Sequence, residues 1–155
     1  MGDYDTYKTV QGYVTKYGQE YGVSPDLINA VINSETNFRR GQVSKVGAQG
    51  LMQITPDVAK EYGVTDPFDP EQNIRAGTQY LSDLLDRFDG DHKKAIQAYH
   101  MGPTAVAKGR KPGRLTRRYV DKTMRVFQDP NEPEATLTGK RNLRSWTRAT
   151  AGVEE

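Results

Sequence analysis

The sequence predicts a mainly α domain, and three observations carry that reading. Apolar residues recur at steps of three and four through much of the chain, and one capping pattern opens a helix three times. No run alternates with period two for long enough to make a strand. With 155 residues the chain amounts to one domain with room for a tail, and it can bury a sizeable core.

The first helix is predicted over 4–21, where Val10, Tyr13, Val14, Tyr17 and Tyr21 share a face; Gly22 ends it. Ser24-Pro25-Asp26 then supplies an N-cap, a first-turn proline and a first-turn acid, for a helix running to about Ser34. Thr55-Pro56-Asp57 and Asp69-Pro70-Glu71 repeat the pattern. The second of these opens a longer helix with Ile74, Leu81, Leu84, Leu85 and Phe88 inward, stopped by Asp89-Gly90. A further helix covers 92–101 until Gly102-Pro103 breaks it, and a last one covers 115–127 with Leu115, Tyr119, Thr123, Val126 and Phe127 on one side. Residues 42–54 are irregular and Gly-rich, with space for a short hairpin. The domain is therefore placed at 1–128. Residues 129–155 are poor in apolar side chains, with Leu143 and Trp146 as anchors, and read as a linker or tail that would suit a piece of a larger polypeptide.

Composition narrows the function. Hydrophobic residues at 35% and charged residues at 27% make a polar chain, though one still able to fold. Without cysteine, disulfides and thiol-based metal or redox chemistry are excluded. Residues 108–125 hold eight Lys or Arg against Asp121 alone, a local +7 that leaves −5 for the rest of a chain of net charge +2. Such a strip attracts polyanions, or is simply a solvated helix face. No aromatic residue interleaves the strip before Tyr119, so a nucleic-acid stacking platform is poorly supported. No segment approaches a membrane span, and the first residues show no signal peptide.

One acid stands apart. Ile28, Val31, Ile32 and Glu35 fall at i, i+3, i+4 and i+7, so Glu35 lies on the apolar face of its helix near the C-terminal end. Desolvation and the negative end of the helix dipole both disfavour its charged form and push its pKa toward neutrality, where a carboxylic acid can donate a proton. A frayed helix end pointing at water is the plainer alternative. The run that follows contains Gly47-Ala48-Gln49-Gly50, whose glycines permit tight turns or close approach to a ligand. Gln53 sits in an apolar setting that demands hydrogen-bond partners.

From Ser34-Glu35 through Ser44 and Gly47-Ala48-Gln49-Gly50-Leu51-Met52-Gln53-Ile54-Thr55-Pro56, the chain resembles the soluble lytic transglycosylases. The likeness continues through the blocks at 66–81, 95–99 and 116–120, in the family's order. The resemblance implies the lysozyme-like helical fold of goose-type lysozymes. It implies cleavage of peptidoglycan glycan strands between N-acetylmuramic acid and N-acetylglucosamine, leaving 1,6-anhydro-muramic acid ends. By resemblance Glu35 is the single catalytic acid and base, Ser44 a hydroxyl near it, and Gln53 and Tyr99 groove residues. His100 stands where the family usually has Asn, and is a candidate substrate contact. Leu115 stands where it commonly has Glu. No cofactor is implied, and Asp86, Asp89 and Asp91 lack the oxygen spacing of a calcium loop.

The chemistry accounts for the lone acid. A two-carboxylate glycosidase needs a second acid as nucleophile or base, whereas attack by the sugar's own C6 hydroxyl does not. With no leader visible, a phage virion protein opening the host wall for genome entry is expected, with the tail leading to other virion proteins. A bacterial periplasmic enzyme exported by a leader outside this sequence is the alternative. A hydrolase of the same fold and a non-catalytic glycan-binding module stay open at this point.

Overall fold

The structure is a computed structural model and describes residues 3–128; the expected tail, with Leu143 and Trp146, lies outside the described residues. Seven helices follow one another: α1 (Asp3–Tyr21), α2 (Pro25–Thr36), α3 (Pro56–Glu61), α4 (Pro70–Arg87), α5 (His92–Met101), α6 (Pro103–Ala107) and α7 (Arg114–Gln128). This is the mainly helical, lysozyme-like architecture that the sequence predicts.

The cap pattern works as read at two of its three sites. Thr55 accepts a hydrogen bond from the Val58 N–H, and Asp69 accepts one from the Gln72 N–H. Ser24 precedes Pro25 at the start of α2 without a side-chain cap bond. Asp91 caps α5 through the Lys94 N–H. Gly102-Pro103 does more than break a helix: Pro103 is the first residue of α6, because a proline that cannot continue one helix is well suited to begin another.

The core centres on α2, which is buried almost all round. Leu27, Ile28, Ala30, Val31 and Ile32 are inaccessible to solvent. Each Leu or Ile so buried contributes about 1.5–3 kcal/mol. Asn29 is buried beside them, and exchanges a reciprocal pair of amide hydrogen bonds with Gln11 of α1 (2.7 and 2.9 Å). Helix α2 packs against α1 on one side and α7 on the other, while α4 joins α1 to α5. Among the tyrosines read as packing residues, Tyr17 is buried and stacks on Tyr21 with ring centroids 6.3 Å apart.

Two expectations need correction. Leu115 does not share the inner face of α7; it is 73% exposed. The buried positions are Thr116, Tyr119, Val120, Thr123 and Val126, so the face begins one residue later and Leu115 points away from it. The 42–54 segment forms no strand ladder either, only isolated antiparallel bridges of Gln49 with Val43 and with Ile54.

Candidate active site

Glu35 occupies the last turn of α2, and Asn37 closes the helix in the left-handed conformation. Its half-buried side chain meets α7 and α5. Burial pushes its carboxyl from the ordinary value of 4.5 up to about 7, and the Tyr119 hydroxyl opposes that rise as a loose donor. Tyr119 Oη is buried and makes no hydrogen bond of good geometry, so it depends on this contact for satisfaction. Burial, with the Glu35 charge adding to it, holds the hydroxyls of both Tyr99 and Tyr119 well above the usual tyrosine range. Both stay protonated as donors.

The structure brings Glu35, Tyr99 and Tyr119 into one cluster and sets His100 against it. The His100 ring stacks on that of Tyr119 at 4.4 Å, and its Nδ1 lies 3.0 Å from Thr116 Oγ1. Burial lowers the His100 pKa, favouring a neutral ring. Next to the acid, Ser34 Oγ accepts a 2.7 Å hydrogen bond from Thr123 of α7.

Ser44 and Gln53 lie in the 42–54 loop, and their hydrogen bonds stay within it. Ser44 Oγ accepts from the Ala48 N–H at 3.0 Å. Gln53 Nε2 donates to the carbonyls of Gln42 and Gly50 (3.1 and 3.0 Å), from a residue with φ of 52°. A left-handed glutamine is backbone strain of the kind that tertiary contacts must hold in place.

Those contacts come from three helices. Thr36 Oγ1 of α2 donates to the Leu51 carbonyl at 2.8 Å, and Tyr99 Oη of α5 donates to the Met52 carbonyl at 2.6 Å. Asn73 of α4 accepts from the Met52 N–H at 2.8 Å and donates to the carbonyls of Gln49 and Pro67 at 2.9 and 2.7 Å. Two glycines permit the close approach. A Cβ on Gly50 (φ 77°) would lie 2.3 Å from Asn73 Nδ2, and one on Gly77 would lie 2.5 Å from Met52 Sδ. Thr36, Asn73 and Tyr119 were given no site role by the sequence reading. For Asn73 a signal existed: an amide on the same helical stripe as Gly77 and Leu81, both buried, must find buried partners.

A half-buried carboxylic acid poised near neutrality, walled by protonated tyrosines and faced by a fixed loop, can give and retake a proton. Among the described residues, no carboxylate acts on Glu35 and no group of three or more acidic, His or Cys side chains could hold a metal. No described helix is long and apolar enough to cross a membrane.

Known proteins resemble this chain in sequence and fold. Residues 12–118 match the family described as Transglycosylase SLT domain. A transglycosylase of Enterobacteria phage PRD1 is 40% identical over 106 residues, covering 68% of this chain and 38% of that protein. The peptidoglycan transglycosylase gp16 of Escherichia phage T7 is 36% identical over 107 residues, covering 64% of this chain and 8% of that protein. The crystal structure of an inactive mutant of the lytic transglycosylase Slt from Pseudomonas aeruginosa superposes with a TM-score of 0.67 at 26% identity, covering 79% of this chain and 24% of that one. The chain thus spans well under half the length of these relatives. A family match across most of the described helices, on a fold shared with a lytic transglycosylase, places this chain in the transglycosylase SLT family.

Proposed function

We propose that this domain is a peptidoglycan lytic transglycosylase. The observation that carries the reading is Glu35: a half-buried acid with a pKa near 7, surrounded by tyrosines instead of a second carboxylate. The protonated acid gives its proton to the oxygen linking C1 of N-acetylmuramic acid to C4 of N-acetylglucosamine. The C1–O bond breaks and its electron pair leaves with the departing sugar. The acetamido group of the muramic acid shares the charge at C1. Glu35, now a carboxylate, takes the proton of the C6 hydroxyl as O6 bonds to C1. The 1,6-anhydro ring closes, Glu35 is again an acid, and no water is consumed. A two-carboxylate hydrolysis would need a partner acid for which this cluster offers no candidate.

Tyr99, Gln53, Ser44 and His100 are the proposed substrate contacts. His100 stacks on the tyrosine beside Glu35, and Tyr99 ties the loop bearing Gln53 and Ser44 to the same cluster through Met52. The phage relatives support action on the host wall from a virion, with residues 129–155 read as the link to other virion proteins; a bacterial periplasmic setting is the alternative.

Peptidoglycan digestion in ¹⁸O-water tests the reaction. The earliest muramic acid ends should be anhydro and free of label, and Glu35→Gln should cut the rate by about 10²–10⁴ with the fold retained. Label at C1 from the start would make the protein a hydrolase, and an active Glu35→Gln would remove Glu35 from the mechanism.

A further inference from the structure

Helices α5 and α7 pack together and are joined by a histidine ring at each end. His92, the first residue of α5, stacks on Phe127 near the end of α7, with ring centroids 5.1 Å apart. His100, in the last turn of α5, stacks on Tyr119 at 4.4 Å with the planes 29° apart. The second contact is the more fully held. Thr116 and Tyr119 lie one helical turn apart on the buried face of α7, so one side chain can meet both. His100 does so, with Nδ1 3.0 Å from Thr116 Oγ1 and its ring on that of Tyr119. The backbone under His100 is anchored as well. Tyr99 Oη donates to the Met52 carbonyl at 2.6 Å, and the Gly102 N–H donates to the Ala98 carbonyl at 2.8 Å. The remainder of His100 is exposed, so the core does not rest on it.

What this grip holds is an unsatisfied hydroxyl. Tyr119 Oη is buried without a well-formed hydrogen bond, and the acceptor it acts on is Glu35. Among the described residues, the titratable groups that act with the Glu35 carboxyl are the hydroxyls of Tyr99 from α5 and Tyr119 from α7. A buried donor without a partner is drawn toward a carboxylate, and a full hydrogen bond would stabilise the ionised acid. Some restraint keeps the bond from closing, and the ring laid against Tyr119 is the one the structure supplies. We propose that His100 is a positioning residue: gripped by Thr116, its ring holds Tyr119 so that the hydroxyl stays beside Glu35 without closing a full hydrogen bond on it. Glu35 thereby keeps the proton that the lytic reading above requires of it, and the proposal rests on that reading. His100 acts through Tyr119, whatever its exposed edge touches. An asparagine in its place could reach Thr116 but has no ring to lay on Tyr119.

The test needs no substrate: the Glu35 carboxyl is titrated by ¹³C NMR in the full chain and its variants. Burial against α7 lowers the His100 pKa, so the ring is mostly neutral where Glu35 titrates, and His100→Asn or His100→Phe exchanges little charge. In His100→Asn the Tyr119 hydroxyl should close on the carboxylate, and the Glu35 pKa should fall by about 1, roughly tenfold in proton affinity. His100→Phe supplies a ring again and should bring the value back toward wild type. With Tyr119→Phe in the background, His100→Asn should shift nothing, because no hydroxyl is left to close. His92→Asn removes the other ring contact between the same helices; it should lower the melting temperature and leave the Glu35 pKa where it was. In cleavage assays the alkaline limb of the kcat profile should move to lower pH in His100→Asn and return in His100→Phe. A Glu35 pKa unchanged or raised in His100→Asn would overturn the proposal, as would a shift that survives Tyr119→Phe or appears equally in His92→Asn. A rise in KM with the pH profile in place would also overturn it, and would leave His100 as a substrate contact only. The titration is independent of the products. The expected shifts in a protein whose products carry ¹⁸O would sink the lytic reading and leave the positioning role standing.

Discussion

Replacing Asn73 tests whether the strained loop is held as described. Its side chain makes three hydrogen bonds to main-chain groups of Gln49, Met52 and Pro67, at 2.7–2.9 Å, from a residue only 1% exposed. At about 1 kcal/mol net for each bond, Asn73→Ala should cost about 3 kcal/mol, and more where a stranded carbonyl stays dry. With a urea m-value of about 2 kcal/mol/M, the unfolding midpoint should fall by about 1.5 M at unchanged m. Asn73→Asp sharpens the test. The aspartate can still accept from the Met52 N–H, but it turns an oxygen toward the carbonyls of Gln49 and Pro67. At pH 7 it should therefore be at least as damaging as alanine. Burial between two carbonyls, with the Met52 N–H as donor, raises the folded-state pKa of such a carboxyl above its unfolded value, so its deficit relative to wild type should narrow as pH falls through the folded value. An Asn73→Ala protein within about 0.5 kcal/mol of wild type, or an Asn73→Asp protein of wild-type stability at pH 7, would refute the three-helix grip.

Two further outcomes follow from the same geometry. The Glu35 pKa is raised in the fold, from 4.5 to about 7, so its ionised form opposes folding and wild-type stability should decline across that window as pH rises. Glu35→Gln has no such titration; its melting temperature should pull ahead of wild type between pH 4.5 and 7, and a constant gap across pH would refute the burial argument. Gly77→Ala places a methyl 2.5 Å from Met52 Sδ and should destabilise by about 1–3 kcal/mol despite the better helix propensity of alanine. Combined with Met52→Ala in a double-mutant cycle, it should be markedly non-additive; simple additivity would show that the methyl is accommodated elsewhere.

What the sequence reveals here follows from what periodicity can carry. Glu35 was legible because three apolar residues at helical spacing point its side chain inward, and because the helix ends just beyond it. Tyr99 and Gln53 were legible through family resemblance. The partners were not: Thr36 and Asn73 act on residues 15 to 24 positions away, and a polar residue's spacing does not say which carbonyl it will meet. Leu115 misled because an apolar residue at the start of a helix fits the pattern equally well when it faces solvent. Helix α6 was missed because five residues are too few to show a period, and Gly102-Pro103 read only as an ending. The 42–54 segment gave no strand because its internal backbone bonds close short turns, while side chains from helices hold Gln49, Leu51 and Met52.

That last feature bears on the order in which the molecule assembles. Contacts spanning 15, 21 and 47 residues fix the loop, and the longest reaches from Met52 to Tyr99. Closing such spans costs entropy that local helix formation does not, so the segment can settle only after α2, α4 and α5 have docked. The surroundings of Glu35 thus form late, as a product of the whole fold. In the native protein the converse holds. The Met52 amide, locked to Asn73, should exchange its hydrogen only through near-global opening, while the termini of the helices fray freely around it. A nascent chain that has not yet made α5 would carry Glu35 in a helix without the setting that arms it.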